Sequence, residues 1–297
     1  MSSNTDLTGR VAIVTGAGKG IGRACAMELA ARGAQVLVNN RRHPGESDEQ
    51  TSAAQVVVAI RAVGGQAEAN FEVVQQEGAG ERMVAHALDR FGHVDILVAN
   101  AASSQAATFR KQSLQDFLAI FDVGFRGALQ LVHAAWPHLL DQRWGRVVMM
   151  TSSAGRYGNH GLGAYSASKA AIEMLTRSLA AEGLSHGVRV NAVSPYADTQ
   201  MTHSHLAEDL ARCLTPQAVA PMVCWLASEA CTANGEVIVA GGGRFRRGFS
   251  VETEGVVGED MAQVLEALGQ LTGQPHASAN HAFASLVDEL RRAGQVR

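Results

Sequence analysis

The feature that most constrains this chain is a short apolar run, Val11–Thr15, that passes directly into Thr15-Gly16-Ala17-Gly18-Lys19-Gly20-Ile21-Gly22 and then into a helical stretch, Gly20–Arg32. A glycine-rich turn between strand and helix lets backbone N–H groups and the positive end of a helix dipole approach a phosphate. Side chains would block that approach. The same glycines could also form a tight left-handed bend with no ligand. The context, after a strand and before a helix, favours a dinucleotide site. Lys19 does not make this a nucleotide triphosphate loop, because Gly20 stands where Ser or Thr would be needed to reach magnesium. Gly16, Gly18, Lys19, Gly20, Ile21 and Gly22 are therefore the expected cofactor-binding residues.

Apolar runs alternate with helical stretches along the rest of the chain. Strands are expected at Gln35–Asn39, Gln66–Asn70, Val94–Ala99, Gly145–Thr151, Val188–Val193 and Glu236–Ala240. Between them lie helical patterns at Ser52–Val63, Gly80–Phe91, Ser113–Phe121, Phe125–Leu140, Gly163–His186 and Pro216–Ser228. Continuous apolar strands alternating with helices imply a parallel sheet covered on both faces. The expected fold class is α/β, a single Rossmann-type doubly wound sheet with its ligand outside the carboxyl ends of the strands. This domain spans residues 1–248. A C-terminal helical extension, 249–297, carries two amphipathic stretches near Asp260–Thr272 and Ala282–Ala293.

Lys and Arg number 25 and Asp and Glu 28, a net charge of −3, which gives no case for nucleic-acid binding. Cys25, Cys213, Cys224 and Cys231 form no CxxC pair and suit a reducing compartment. The polar start, Met1–Arg10, lacks an apolar signal core, and no apolar run approaches the roughly 20 residues that span a bilayer. A cytoplasmic protein with no membrane partner is expected. His203 and His205 lack a third ligand nearby, and no metal is expected.

The second strand ends Val38-Asn39-Asn40-Arg41-Arg42. An NAD site usually offers an acid here to the ribose 2′-hydroxyl. This chain offers none, whereas the guanidinium groups of Arg41 and Arg42 suit a 2′-phosphate. NADP(H) is favoured, with NAD(H) possible.

Tyr165-Ser166-Ala167-Ser168-Lys169 opens a long helix, and spacing i to i+4 puts Tyr165 and Lys169 on one face. A free phenol, of pKa about 10, is a poor base at neutral pH. A nearby ammonium is expected to lower that value. Ser152, at the carboxyl end of Gly145–Thr151, can hold a substrate oxygen next to Tyr165, while Ser153 would point elsewhere. YxxxK alone is frequent by chance; with the glycine loop and the strand-end serine it becomes specific.

These pieces resemble the short-chain dehydrogenase/reductase family: TGAGKGIG at 15–22, ANAA at 99–102, SSAG at 152–155, YSASK at 165–169 and NAVSP at 191–195. The resemblance implies Tyr165 as general acid/base, Lys169 as the group that lowers its pKa and grips the nicotinamide ribose, and Ser152 as the group orienting the carbonyl. It also implies Asn100 beside the cofactor ribose and Glu72 and Val73 near the adenine. Segments around Ala135-Trp136, Tyr157-Gly158-Asn159 and Pro216–Leu226 are similar to the (3R)-hydroxyacyl-CoA dehydrogenase and hydroxysteroid-dehydrogenase-like branch. That suggests an acyl thioester, polyketide-like or steroid-like ketone. The family's contact helices imply a homodimer or homotetramer. Where the family's proton relay often has an asparagine, this chain has Gly124.

Tyr157, Tyr196 and Met201 are expected to line a mostly apolar substrate pocket. Arg244, Arg246 and Arg247 form a basic cluster after the last strand; it could meet an acidic carrier or stand as a solvated surface. The sequence thus points to an NAD(P)H-dependent reductase or dehydrogenase interconverting a ketone and a secondary alcohol. A dinucleotide-binding sensor or assembly subunit with little catalysis is the alternative.

Overall fold

A computed structural model describes residues 5–203, 206–276, 278–293 and 295. The chain divides into two compact units between Arg247 and Gly248. The first unit carries strands β1 (Val11–Val14), β2 (Gln35–Asn39), β3 (Gln66–Asn70), β4 (Ile96–Ala99), β5 (Gly145–Met150), β6 (Val188–Pro195), β7 (Val237–Gly241) and β8 (Arg244–Gly248). Its helices are α1 (Gly20–Ala31), α2 (Ser52–Ala62), α3 (Ala79–Phe91), α4 (Leu114–Phe121), α5 (Gly127–Asp141), α6 (Ser153–Tyr157), α7 (Gly163–Gly183), α8 (Glu208–Cys213) and α9 (Ala220–Leu226).

The strands form one sheet in the order β3-β2-β1-β4-β5-β6-β7-β8. Every pairing from β3 through to β7 is parallel. Strand order reverses between β1 and β4, so their carboxyl ends diverge into a crevice where such sheets bind ligands. Burial explains the unbroken apolar strands. Ala12, Val14, Val36, Val38, Ile96, Val98 and Val148 join one core beneath α1, α2 and α9. Val11, Ile13, Leu37, Leu97, Val147 and Met149 join the other, beneath α3, α5 and α7. Each fully buried Val, Leu or Ile contributes about 1.5–3 kcal/mol.

At the amino ends of the strands, the Asp95 carboxylate accepts the backbone N–H of Val11 at 2.8 Å and the Arg10 guanidinium at 3.2 Å. Arg10 and Arg146 both lie over the Trp144 ring, at 3.5 and 4.5 Å from its centroid. The indole N–H donates to Glu229 at 3.0 Å. The starts of β1, β4 and β5 are thereby fastened together, far from the crevice.

Several elements differ from expectation. Arg244, Arg246 and Arg247 are not beyond the last strand; they build β8, and Arg247 pairs with Glu236. Helices α6 and α8 were not anticipated, being five and six residues long and too short to show a helical period. A π turn, Asp122–Arg126, joins α4 to α5. The resulting rod, Leu114–Asp141, has 28 residues and is long and apolar enough to cross a membrane by length and composition. This corrects the view that no run approaches that length, since Asp122 and Arg126 divide the apolar pattern but not the helix. Its Leu131, Val132, Ala135 and Leu139 are core residues.

The second unit contains a short antiparallel pair, β9 (Val251–Glu252) with β10 (Gln274–Pro275), and helices α10 (Met261–Leu268) and α11 (Ala279–Arg292). Asp260 and Ser278 cap the two helices by accepting backbone N–H groups. Both side chains supply the acceptor oxygen that free helix N-termini require.

Candidate active site

The glycine loop lies in the crevice. Thr15 Oγ1 accepts the backbone N–H groups of Asn100 at 3.0 Å and Ala101 at 3.1 Å. Asn100 Nδ2 in turn donates to the carbonyls of Thr15 at 2.9 Å and Gly16 at 3.2 Å. Asn100 thus stitches the end of β4 to the loop after β1. At Gly16, Gly18 and Gly22 the loop has no room for a side chain. A Cβ on Gly22 would lie 2.3 Å from the Gly16 carbonyl oxygen, and one on Gly18 would lie 2.2 Å from Ser52 Oγ. Gly16 and Gly20 have φ of +63° and +54°, the left-handed region glycine tolerates. Ile21 packs on the core, and exposed Lys19 precedes the first turn of α1. Thr199, after β6, comes within 3.5 Å of where a Gly20 Cβ would stand. A side-chain-free cradle at a helix N-terminus, flanked by a second loop, fits the pyrophosphate of a dinucleotide.

The rim beside it is formed by the ends of β2 and β3. Buried Asn39 donates to Asn70 Oδ1 at 2.8 Å and to the Glu72 carbonyl at 3.0 Å, which fixes the turn carrying Glu72 and Val73. The Glu72 carboxylate pairs with Arg82 at 2.8 Å. The two arginines part company here. Both are exposed, but Arg42 pairs with Asp48 and lies 5.0 Å above the Phe71 ring. Asn40 was not singled out from the sequence. It stands directly after β2, donates to Ser52 Oγ at 2.8 Å and lies against Gly18. Its place between the strand and the arginines was the available signal.

The third part of the crevice joins β5, α6 and α7. Ser152 caps α6, its Oγ accepting the Ala154 N–H at 3.2 Å, and it also hydrogen-bonds the Tyr165 phenol. Lys169 is buried, and its ammonium donates to the Met150 carbonyl at 2.7 Å. Burial draws the Lys169 pKa down from 10.5 to about 8. Lys169 Nζ lies 5.8 Å from the Tyr165 ring centroid. The phenol, however, is not pulled down as expected. Burial raises it above 10.0, and the Ser152 hydrogen bond opposes that only in part. Desolvation disfavours the phenolate more than the neighbouring groups favour it.

The three residues expected to line a substrate pocket remain open. Tyr157, at the end of α6, is 79% exposed, Tyr196 44% and Met201 41%. His203 pairs with Asp198 at 3.0 Å, and His205 lies outside the described residues.

A doubly wound sheet with this cradle at its switch point defines a dinucleotide-binding α/β protein. Residues 10–209 match the short chain dehydrogenase family, and the chain belongs to it. It is 42% identical over 245 residues to the mouse peroxisomal multifunctional enzyme type 2, covering 82% of this chain and 33% of that protein. The chain therefore spans about a third of that relative's length. A short chain dehydrogenase from Mycobacterium avium superposes with a TM-score of 0.80 at 32% identity, covering 91% of this chain and 98% of that one. An NADP-bound 3-oxoacyl (acyl-carrier-protein) reductase from Agrobacterium tumefaciens superposes with a TM-score of 0.72 at 30% identity, covering 80% and 96%. Family model and superposition together place the chain among the short chain dehydrogenases.

Proposed function

We propose that this protein reduces an acyl-type ketone with NADPH through Ser152, Tyr165 and Lys169. The observation that carries the reading is their convergence, on α6 and the first turns of α7, at the carboxyl end of β5 beside the glycine cradle. When bound, the nicotinamide supplies the hydride to the carbonyl carbon, or takes it back from the alcohol. Ser152 Oγ holds the carbonyl oxygen. Tyr165 Oη gives that oxygen its proton, forming the alcohol, and takes it up again in the reverse direction. The raised phenol suits reduction, because it keeps the proton on Tyr165 at neutral pH. Lys169, buried behind it, steadies the phenolate left after transfer. Gly16, Gly18, Lys19, Gly20, Ile21 and Gly22 receive the pyrophosphate, Asn100 borders the ribose, and Glu72 and Val73 border the adenine.

The preference for NADPH rests on the absence of an acid after β2. Neutral Asn40 and cationic Arg41 stand there instead. The acyl-type substrate rests on the names of the relatives, a multifunctional enzyme and a 3-oxoacyl reductase. A homodimer or homotetramer is supported by exposed apolar side chains on α5 (Leu129) and α7 (Met174). We place the protein in the cytoplasm. The test is a panel of β-ketoacyl thioesters, steroid ketones and polycyclic ketones read by NADPH absorbance. Turnover of a β-ketoacyl thioester supports the reading, and binding of NADPH with no turnover of any ketone rejects it in favour of a sensor or assembly subunit.

A further inference from the structure

The turn of α7 that bears Tyr165 and Lys169 is held between two glycines. On one side lies Gly155 of α6, where a Cβ would stand 2.7 Å from the Lys169 carbonyl carbon and 2.8 Å from the Ala170 nitrogen. On the other lies Gly124 in the π turn, where a Cβ would stand 2.6 Å from Ser168 Oγ and 3.1 Å from Ser168 Cβ. Neither position has space for a methyl group. Ser168 is fully buried, and its hydroxyl donates to the Tyr165 carbonyl at 2.8 Å. On the opposite side, Thr151 Oγ1 donates to the Lys169 carbonyl at 2.8 Å. The backbone of both site residues is thus fixed by a side-chain hydroxyl, and each hydroxyl lies on a packed surface.

The π turn cannot easily retreat from this contact. Three residues on, a Cβ on Gly127 would stand 2.7 Å from Val74 Cγ2. A further turn along, the Gln130 carbonyl would lie 2.2 Å from a Cβ on Gly80 of α3. The rod is seated on α3 almost backbone to backbone, so added bulk at position 124 is pushed toward α7 and not away from it. π turns are rare and costly and recur at functional sites.

We infer that Gly124 is a positioning residue, whose missing side chain seats the π turn on Ser168 and so sets the placement of Tyr165 and Lys169. Gly124 brings no side chain of its own to the site; it acts through Ser168. The inference rests on the role of Tyr165 and Lys169 proposed above. It turns an apparent loss, a glycine in the relay position, into a steric requirement of this chain.

The test is a cycle of Gly124→Ala, Ser168→Ala and the double variant in the full chain, with Ser168→Thr pressing the same contact from the other side. A misplacement well under 1 Å should lower the kcat of Gly124→Ala on the order of tenfold. Its KM for NADPH should hold, while its kcat–pH profile shifts because the Tyr165–Lys169 spacing has changed. Ser168→Ala, which removes the hydroxyl that donates to the Tyr165 carbonyl, should itself lower kcat modestly, and the double variant should return to the level of Ser168→Ala instead of adding the two losses. Ser168→Thr should behave like Gly124→Ala, which keeps the test open if that variant fails to fold. Wild-type kcat and pH profile in both Gly124→Ala and Ser168→Thr overturn the inference. So does a loss that only tracks falling Tm and that Ser168→Ala does not relieve. If the wild type reduces no ketone, the functional reading falls instead. Ultraviolet titration of Tyr165, with Tyr165→Phe as blank, then decides: an unshifted phenol in Gly124→Ala overturns the positional inference.

Discussion

The ammonium of Lys169 lies 5.8 Å from the centroid of the Tyr165 ring and donates its hydrogen bond to the Met150 carbonyl, not to the phenol. Among the described residues no hydrogen bond joins Lys169 to Tyr165, and the side chain hydrogen-bonded to the phenol is Ser152. Tyr165→Phe removes the proton carried to the carbonyl and little else. Its kcat should fall by roughly 10²–10⁴-fold, the range for a general acid. Its affinity for NADPH, followed by fluorescence titration, should stay within about a factor of three.

Ser152→Ala should act on the titration of that phenol. The serine pulls the Tyr165 pKa down against a larger effect of burial. Without it the phenol rises further, so the ascending limb of the kcat–pH profile for alcohol oxidation, set by loss of the Tyr165 proton, should move to higher pH. An unmoved limb would show that Ser152 serves the substrate alone.

Burial of Lys169 also couples stability to pH. Its pKa is about 8 in the fold against 10.5 for the free group. Between these values the unfolded chain binds more protons than the folded one, so stability rises with pH across that window. At about 1.4 kcal/mol per unit, the full effect is roughly 3 kcal/mol. Relative to Lys169→Met, the wild type should gain Tm between pH 8 and pH 10, as measured by calorimetry. A constant difference between the two would contradict the burial.

Arg41 and Arg42 look equivalent in sequence but are not so in space. Arg42 is paired with Asp48 and covers Phe71. Arg41→Ala should raise KM for NADPH on the order of tenfold with little change for NADH, as for loss of one charge-assisted phosphate contact. Arg42→Ala should have a smaller effect. Equal effects of both variants on both cofactors would remove the case for a 2′-phosphate site.

The contrast between the arginines shows where sequence reasoning reaches its limit. The strand Gln35–Asn39 was legible to the residue because a buried parallel strand bounded by polar turns leaves a sharp apolar signature, whereas the polar, half-buried Gln66–Asn70 gave a weaker one. The glycine loop was legible because its chemistry is local. Three things were not. Helix α6 is too short to show a period, although it carries Ser152 as its cap. The phenol's raised pKa depends on how deeply α7 packs, which no spacing reveals. Gly124 read as a missing group until Ser168 was seen to occupy the space beside it.

The clasp at Asp95 has a consequence for how the chain reaches its fold. Val11 and Asp95 are 84 positions apart, and β1 and β4 must pair in parallel across that interval before the halves of the sheet become one. Closing so long a loop is entropically unfavourable and slows the search. Slipping by a single residue would turn Ala12, Val14 and Val98 to the wrong core. The carboxylate accepts the Val11 N–H and the Arg10 guanidinium together, so only the native alignment satisfies both. Asp95 thus proofreads the central pairing of the sheet, at the end of the molecule where no chemistry is done.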